Sequence, residues 1–219
     1  MWRERRISIV LKSSYKKEAE ETLVRKALIA RDGVFDDLDV AITWHPWYTN
    51  SAWWSSFNAM NSFKITFHGV AAHAGDAPEV GRSTVDAVIL TDVGVNYLRE
   101  HTIQEARIHC VITNGRSVTN VVPAYVQVWY YVCAPLTTEG EQIYQRVLDI
   151  AKGVALMTGT TSDVRFPTGC YNYLPNNVIG EIMTEKMKKL GPPKFTDEDN
   201  PLSCEKVSGC SDPDASAHQ

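Results

Sequence analysis

The spacing of polar and apolar positions changes character along this 219-residue chain. Residues 7–11 form a short apolar run suited to a buried strand. Over 17–31, Leu23, Val24, Ala27 and Leu28 fall on one face of a 3.6-residue period, and Gly33 supplies a helix stop. Residues 38–44 make a second apolar strand ending at His45 and Pro46. A β-α-β order of this kind belongs to a mostly parallel sheet. The aromatic and polar stretch 47–61 reads as a connection between domains.

The middle of the chain alternates instead. Phe63, Ile65 and Phe67 interleave with Lys64, Thr66 and His68, which predicts a half-exposed strand. Ser83 predicts a helix cap, with Asp86 in the first turn of a helix running to about Arg99. Alternation returns at Ile108, Cys110 and Ile112, and again at Val126, Val128, Tyr130 and Val132. Thr138 and Glu141 suggest a capping box for a helix with the inner stripe Ile143, Val147, Ile150 and Val154. Residues 163–166 suit a last strand. The order β-α-β-β-α-β over about 62–170 is that of the ferredoxin-like split βαβ unit. A further helix at 177–190 carries Ile179, Ile182, Met183 and Met187, and beyond Gly191 the chain is polar and turn-rich.

Composition narrows the function classes. With 44% hydrophobic and 22% charged residues the chain is of the folded kind, and no apolar run approaches the ~20 residues of a membrane helix. The start lacks the apolar core of a signal peptide. A net charge of -4 argues against a nucleic-acid binder that relies on bulk positive charge. Five cysteines without a Cys-x-x-Cys pair give no zinc ribbon or thioredoxin-type site, and their odd number suits a reducing, cytoplasmic setting. Cys110 and Cys133 sit in apolar runs and are expected to be small buried hydrophobes.

Several residues could carry chemistry. Of the adjacent acids Glu20 and Glu21, one could bind a metal while the other takes a proton from bound water; such pairs more often form a solvated helix face. His45 closes a strand where parallel sheets place ligands, and imidazole is a common metal ligand; a hydrogen-bonded strand-end histidine is the plainer alternative. His73 lies among small residues that allow close approach, so it could donate to a carbonyl oxygen as negative charge develops there. Asn120 could bind a carboxylate or amide, or simply form a turn. Trp47, Trp53 and Trp54 suit either an aryl ligand or a packed domain junction.

These signals lie in an order that resembles a known family. The stretches are 33–39 leading to Trp44, His45 and Pro46; His68 through Ala74; Gly81 through Val88; Ile112 through Gly115; Asn120 through Pro123; and Tyr173 through Asn176. Together, over about 19–191, they are similar to the dinuclear-zinc amidohydrolases. That family includes aminoacylases, carboxypeptidase G-type enzymes and indole-acetyl amino acid hydrolases, and the likeness is strongest to its p-aminobenzoyl-glutamate hydrolase branch. The resemblance implies Glu20 as general base, Glu21 and His45 as ligands of zinc (or manganese), His73 as a lid histidine that polarises the scissile carbonyl of a partner subunit's substrate, and Asn120 as a substrate contact. It implies an α/β chain with three parts: a partial, mostly parallel-sheet catalytic domain at 1–60, an inserted ferredoxin-like lid or dimerisation domain at 61–170, and a partial return to the catalytic domain at 171–219.

The sequence also departs from the family pattern. Thr22, Leu23, Val24 and Arg25 stand where a glycine-rich loop follows the paired acids, and Cys133 replaces an arginine before Ala134 and Pro135. The upstream histidine motif and the last zinc-binding histidine have no counterpart, and His218 lies in a different context. The expectation is a hydrolase of amides in N-acyl amino acids such as p-aminobenzoyl-glutamate, acting as a homodimer through the lid or with a second related subunit, with part of the metal site missing from these residues. The alternative is a non-catalytic dimerisation or binding module.

Overall fold

A computed structural model describes residues 31–38, 40, 42, 49–53, 55–115 and 118–192. They belong to two compact units: one comprises Met1–Thr43 and Ser55–Pro175, the other Trp44–Trp54 and Asn176–Gln219.

In the first unit, β1 (Ala59–His68), β3 (Arg107–Asn114), β5 (Tyr125–Ala134) and β6 (Thr161–Cys170) form one antiparallel sheet in the order β3-β5-β1-β6. Two short strands, β2 (Ala72–His73) and β4 (Val121–Val122), form a separate antiparallel ladder. Helices α1 (Thr84–Arg99) and α2 (Thr137–Thr158) complete a β-α-β-β-α-β order of the main elements. The alternation seen in the sequence is the cause: Phe63, Ile65 and Phe67 of β1 and Val126, Val128, Tyr130 and Val132 of β5 are fully buried on one face. Against them lie Ala87, Val88 and Val95 of α1 and Ile143, Val147 and Ala151 of α2. Each such large side chain stabilises the fold by about 1.5–3 kcal/mol when fully buried. The helices approach closely where Gly94 of α1 meets Ile150 of α2; a Cβ on Gly94 would lie 2.6 Å from Ile150 Cγ2. Ser83 caps α1 as expected, its hydroxyl accepting from Asp86 N.

Four details differ from the sequence expectations. β1 is not half exposed, because it is a central strand whose second face is also covered. There Trp129 Nε1 donates to Ser62 Oγ at 2.8 Å and Gln127 Nε2 to Thr66 Oγ1 at 3.1 Å, which buries both hydroxyls. β3 has only Ile108 buried; as an outermost strand it leaves Cys110 exposed rather than in the core. Cys133, on the sheet face away from the helices, is half-buried. The capping box is not Thr138 with Glu141: α2 starts two residues earlier, with Leu136 at the cap, so Glu139 is the third helical residue and accepts from Leu136 N at 3.1 Å.

The pairing of β1 with β6 contains a register shift. Ser62 pairs with Thr168 but Lys64 with Arg165, so Phe63 faces both Phe166 and Pro167. This β-bulge bends the outer strand.

In the second unit, α3 (Asn177–Leu190) is capped by the Asn176 side chain, which accepts from Ile179 N at 3.1 Å. Ile179, Met183 and Met187 are half-buried, whereas Ile182 is exposed, so the apolar stripe is narrower than its sequence pattern. The described sheets are both antiparallel. The parallel-sheet segment expected over 7–44 lies outside the described residues apart from 31–38, 40 and 42, where Gly33 takes the positive φ of 76° suited to a helix stop. No helix among the described residues is long and apolar enough to cross a membrane.

Candidate functional site

The candidate site stands on the β2–β4 ladder. Ala72 pairs with Val122 and His73 with Val121, and Ala74 N donates to Asn120 O at 2.9 Å. His73 and Asn120, flagged separately in the sequence, are therefore neighbours across one short ladder, and both are exposed.

The surrounding sequence explains why so short a ladder forms. Gly69 N donates to Ala124 O at 2.8 Å, and Val70 and Arg82 exchange backbone hydrogen bonds at 3.1 and 2.9 Å. A Cβ on Gly69 would lie 2.1 Å from Arg82 O, so only glycine permits the two backbones to cross there. Thr84, fully buried at the start of α1, donates from both N and Oγ1 to Pro123 O at 3.0 Å. The β4 arm is thus fastened to the first turn of α1, and the β2 arm to Arg82 just before its cap. After His73 the chain turns back on itself: Asp76 N and Ala77 N both donate to His73 O, and Gly75 N donates to His73 Nδ1 at 3.2 Å.

Chemically, the ladder carries an imidazole at His73 and, one position along on the facing segment, the primary amide of Asn120, one able to donate to a carbonyl oxygen and the other to bind a carboxylate or amide. The other three assigned residues, Glu20, Glu21 and His45, lie outside the described residues, as do Trp47 and Trp54. Trp53 is exposed, and its Nε1 donates to Ser51 Oγ at 2.6 Å. Among the described residues no group of three or more His, Cys, Asp or Glu side chains could hold a metal ion.

A second polar cluster had no sequence signal, because its members are far apart in the chain. Cys110 Sγ donates to Asp92 Oδ1 at 3.2 Å across β3 and α1. Partial desolvation, reinforced by the Asp92 carboxylate, pushes the Cys110 thiol up to about 11. Burial likewise raises the neighbouring Tyr130 phenol, and the thiols of Cys133 and Cys170.

Comparison with known proteins gives the platform a context. The pattern of the peptidase dimerisation domain matches residues 58–156, the stretch that carries β1 through most of α2 and both His73 and Asn120. This stretch is a peptidase dimerisation domain. Over 179 residues, 80% of the chain, the sequence is 42% identical to one subunit of the p-aminobenzoyl-glutamate hydrolase of Escherichia coli. Over 84% of the chain it is 32% identical to Xaa-Arg dipeptidase of Mus musculus. The matches cover only 36% and 43% of those two proteins, so the chain spans about two fifths of the relatives' length. The crystal structure of an aminobenzoyl-glutamate utilization protein from Klebsiella pneumoniae superposes with a TM-score of 0.51 at 22% identity, over 62% of this chain and 34% of that one. The dimerisation domain therefore shares its fold with a larger protein.

Proposed function

We propose that this chain supplies the lid of a metal-dependent amidohydrolase that cleaves the amide of an N-acyl amino acid such as p-aminobenzoyl-glutamate, the lid being the ferredoxin-like unit. The observation that carries the reading is the ladder that holds His73 and Asn120 one position apart on an exposed platform tied to α1. In this reading His73 enters the active site of a partner subunit and donates to the scissile carbonyl, stabilising the oxyanion that forms when water adds. Asn120 orients the substrate by its carboxylate or amide. Glu20 takes the proton from the attacking water.

Zinc, or manganese in its place, would be held by Glu21 and His45 and would supply Lewis acidity to the carbonyl and acidity to bound water. That donor set falls one short of the three protein ligands usual at a catalytic zinc. It does not fit a complete site, so the roles given to His73 and Asn120 stand without a step through the metal.

A partner copy has support in the exposed surface. Ile89, Val93 and Tyr97 form an i, i+4, i+8 stripe on α1 at 52, 44 and 76% exposure, beside the outermost strand β3 with its exposed Val111 and Ile112. Pairing of two such faces would bury the apolar stripe and the open strand edge together. A second, related subunit is the other candidate for the same face, since the Escherichia coli relative is itself named as a subunit.

The second reading, a non-catalytic dimerisation or binding module, is favoured by the contrast between an intact dimerisation domain and the altered segment at Thr22 through Arg25. Release of p-aminobenzoate from p-aminobenzoyl-glutamate in added zinc or manganese, with metal content by elemental analysis, separates the two. The catalytic reading expects weak metal binding and slow turnover by these 219 residues, lowered about 10²–10³-fold by His73→Ala. Turnover that His73→Ala leaves unchanged removes His73 from the reaction. Neither metal nor turnover supports the binding module.

A further inference from the structure

We propose that the backbone N–H of Gly75 fixes the tautomer of His73, making Nε2 the nitrogen that carries the proton and donates. This rests on the reading of His73 as a donor to a carbonyl oxygen, and it deepens that reading by naming the donating atom and the group that selects it.

A neutral imidazole has one protonated nitrogen and one bare nitrogen, and the hydrogen bond made by one of them decides which is which. Gly75 N donates to His73 Nδ1 at 3.2 Å. A proton on Nδ1 would face the amide proton head-on, so the ring proton is directed to Nε2. The amide is itself held in place. Ala74 N donates to Asn120 O at 2.9 Å on one side, and Asp76 N and Ala77 N donate to His73 O at 3.3 and 3.1 Å on the other. The direction of the Gly75 N–H is thus set by the same ladder that presents Asn120. Among the described residues no other hydrogen bond reaches the His73 ring, so this one contact decides the tautomer. An imidazolium, which donates from both nitrogens, cannot accept at Nδ1 and loses the contact.

The absence of a side chain at position 75 is not what the contact needs. A Cβ there would lie 3.6 Å from His73 Cε1 and 3.8 Å from Nδ1, ordinary van der Waals distances. The N–H and the small size can therefore be tested apart. Gly75 is a positioning residue: it acts through His73.

The test is nitrogen-15 NMR of the 219-residue chain labelled in its histidine rings and backbone, at a pH where the imidazoles are neutral. The expected signature is a bare Nδ1 and a protonated Nε2 for essentially all of His73, with a through-hydrogen-bond coupling between Gly75 N and His73 Nδ1. His109, exposed on β3, gives the comparison within the same spectrum. Gly75→Ala should keep the signature, and Gly75→Pro, which lacks the N–H, should shift His73 toward the tautomer mixture of His109. A wild-type His73 with the proton on Nδ1, or with the same mixture as His109, overturns the proposal. The wild-type spectrum decides this alone, even if Gly75→Pro folds poorly. Failure of the catalytic reading shows elsewhere, as turnover insensitive to His73→Ala, and leaves the tautomer assignment standing.

Discussion

Replacing Gly94 by alanine sets two effects of similar size against each other. On an open helix face, glycine to alanine stabilises by about 1 kcal/mol, because the backbone loses less freedom on folding. In α1, however, the new Cβ would lie 2.6 Å from Ile150 Cγ2 and 3.8 Å from Ile150 Cβ and Cγ1. Carbon atoms pack at about 3.5–4.0 Å, so the helices must separate by about 1 Å or Ile150 must leave its rotamer. A β-branched side chain in a helix has one strongly preferred χ1, which closes the second escape. Overpacking of this kind costs about 1–3 kcal/mol, so Gly94→Ala should destabilise the dimerisation domain by roughly 1 kcal/mol net. In an Ile150→Ala background the opposing methyl is gone. There the same substitution should stabilise by up to about 1 kcal/mol, a coupling of about 2 kcal/mol between the sites. Hydrogen exchange of the buried β1 and β5 amides in urea, measured for the wild type, both single variants and the double, reads this directly. A Gly94→Ala variant that is stabilised in the wild-type background, or effects that simply add, would refute the argument for close helix approach.

Three further outcomes are expected. Because the Cys110 thiol is pushed up to about 11, its reactive thiolate is scarce at neutral pH and grows as pH rises through that value. Iodoacetamide at pH 8 should modify Cys110 on the order of 100 times more slowly than an ordinary thiol, as read by mass spectrometry of its peptide. Asp92→Asn should speed the reaction, and a slower variant would contradict the assigned cause. Glu139→Ala should lower stability by about 0.5 kcal/mol through loss of the bond to Leu136 N, seen as a reduced urea midpoint, while Glu141→Ala should leave the start of α2 intact. If two lids meet through α1 and β3, sedimentation at micromolar concentration should show a dimer that Val93→Glu dissociates; a wild-type monomer would end that reading.

Much of the sheet was legible because its inner residues keep period two. Phe63, Ile65 and Phe67 announce β1, and Val126 through Val132 announce β5, since one face of each lies on the helices. Ser83 was equally plain, its cap depending only on residues three apart. What could not be read was which strand lies at the rim. Cys110 follows the same alternation as Val128, yet only the strand order leaves it exposed. The burial of Ser62 and Thr66 depends on Trp129 and Gln127, more than sixty residues away. At the site, His73 and Asn120 could each be singled out for chemistry, but their adjacency rests on a ladder only two residues long, too short to leave a periodic trace. Gly75 had no signal at all, because its contribution is a backbone N–H that every residue except proline carries.

The β-bulge opposite Phe63 has a bearing on how far association through this sheet can go. A sheet with two equally open rims can add one copy to the next without limit, because the rim left free after each addition is ready for another. Here the rims differ. β6 carries Pro167, which lacks a backbone donor, within the irregular pairing around Phe63, whereas β3 pairs regularly with β5 from Arg107 to Ile112. β3 has its own register shift, but only near its end, between Ile112 and Asn114, so most of that rim is the better template for a further strand. If two copies pair through their β3 rims, growth through strand edges should stop there, the bulge at β6 favouring a closed pair over a filament.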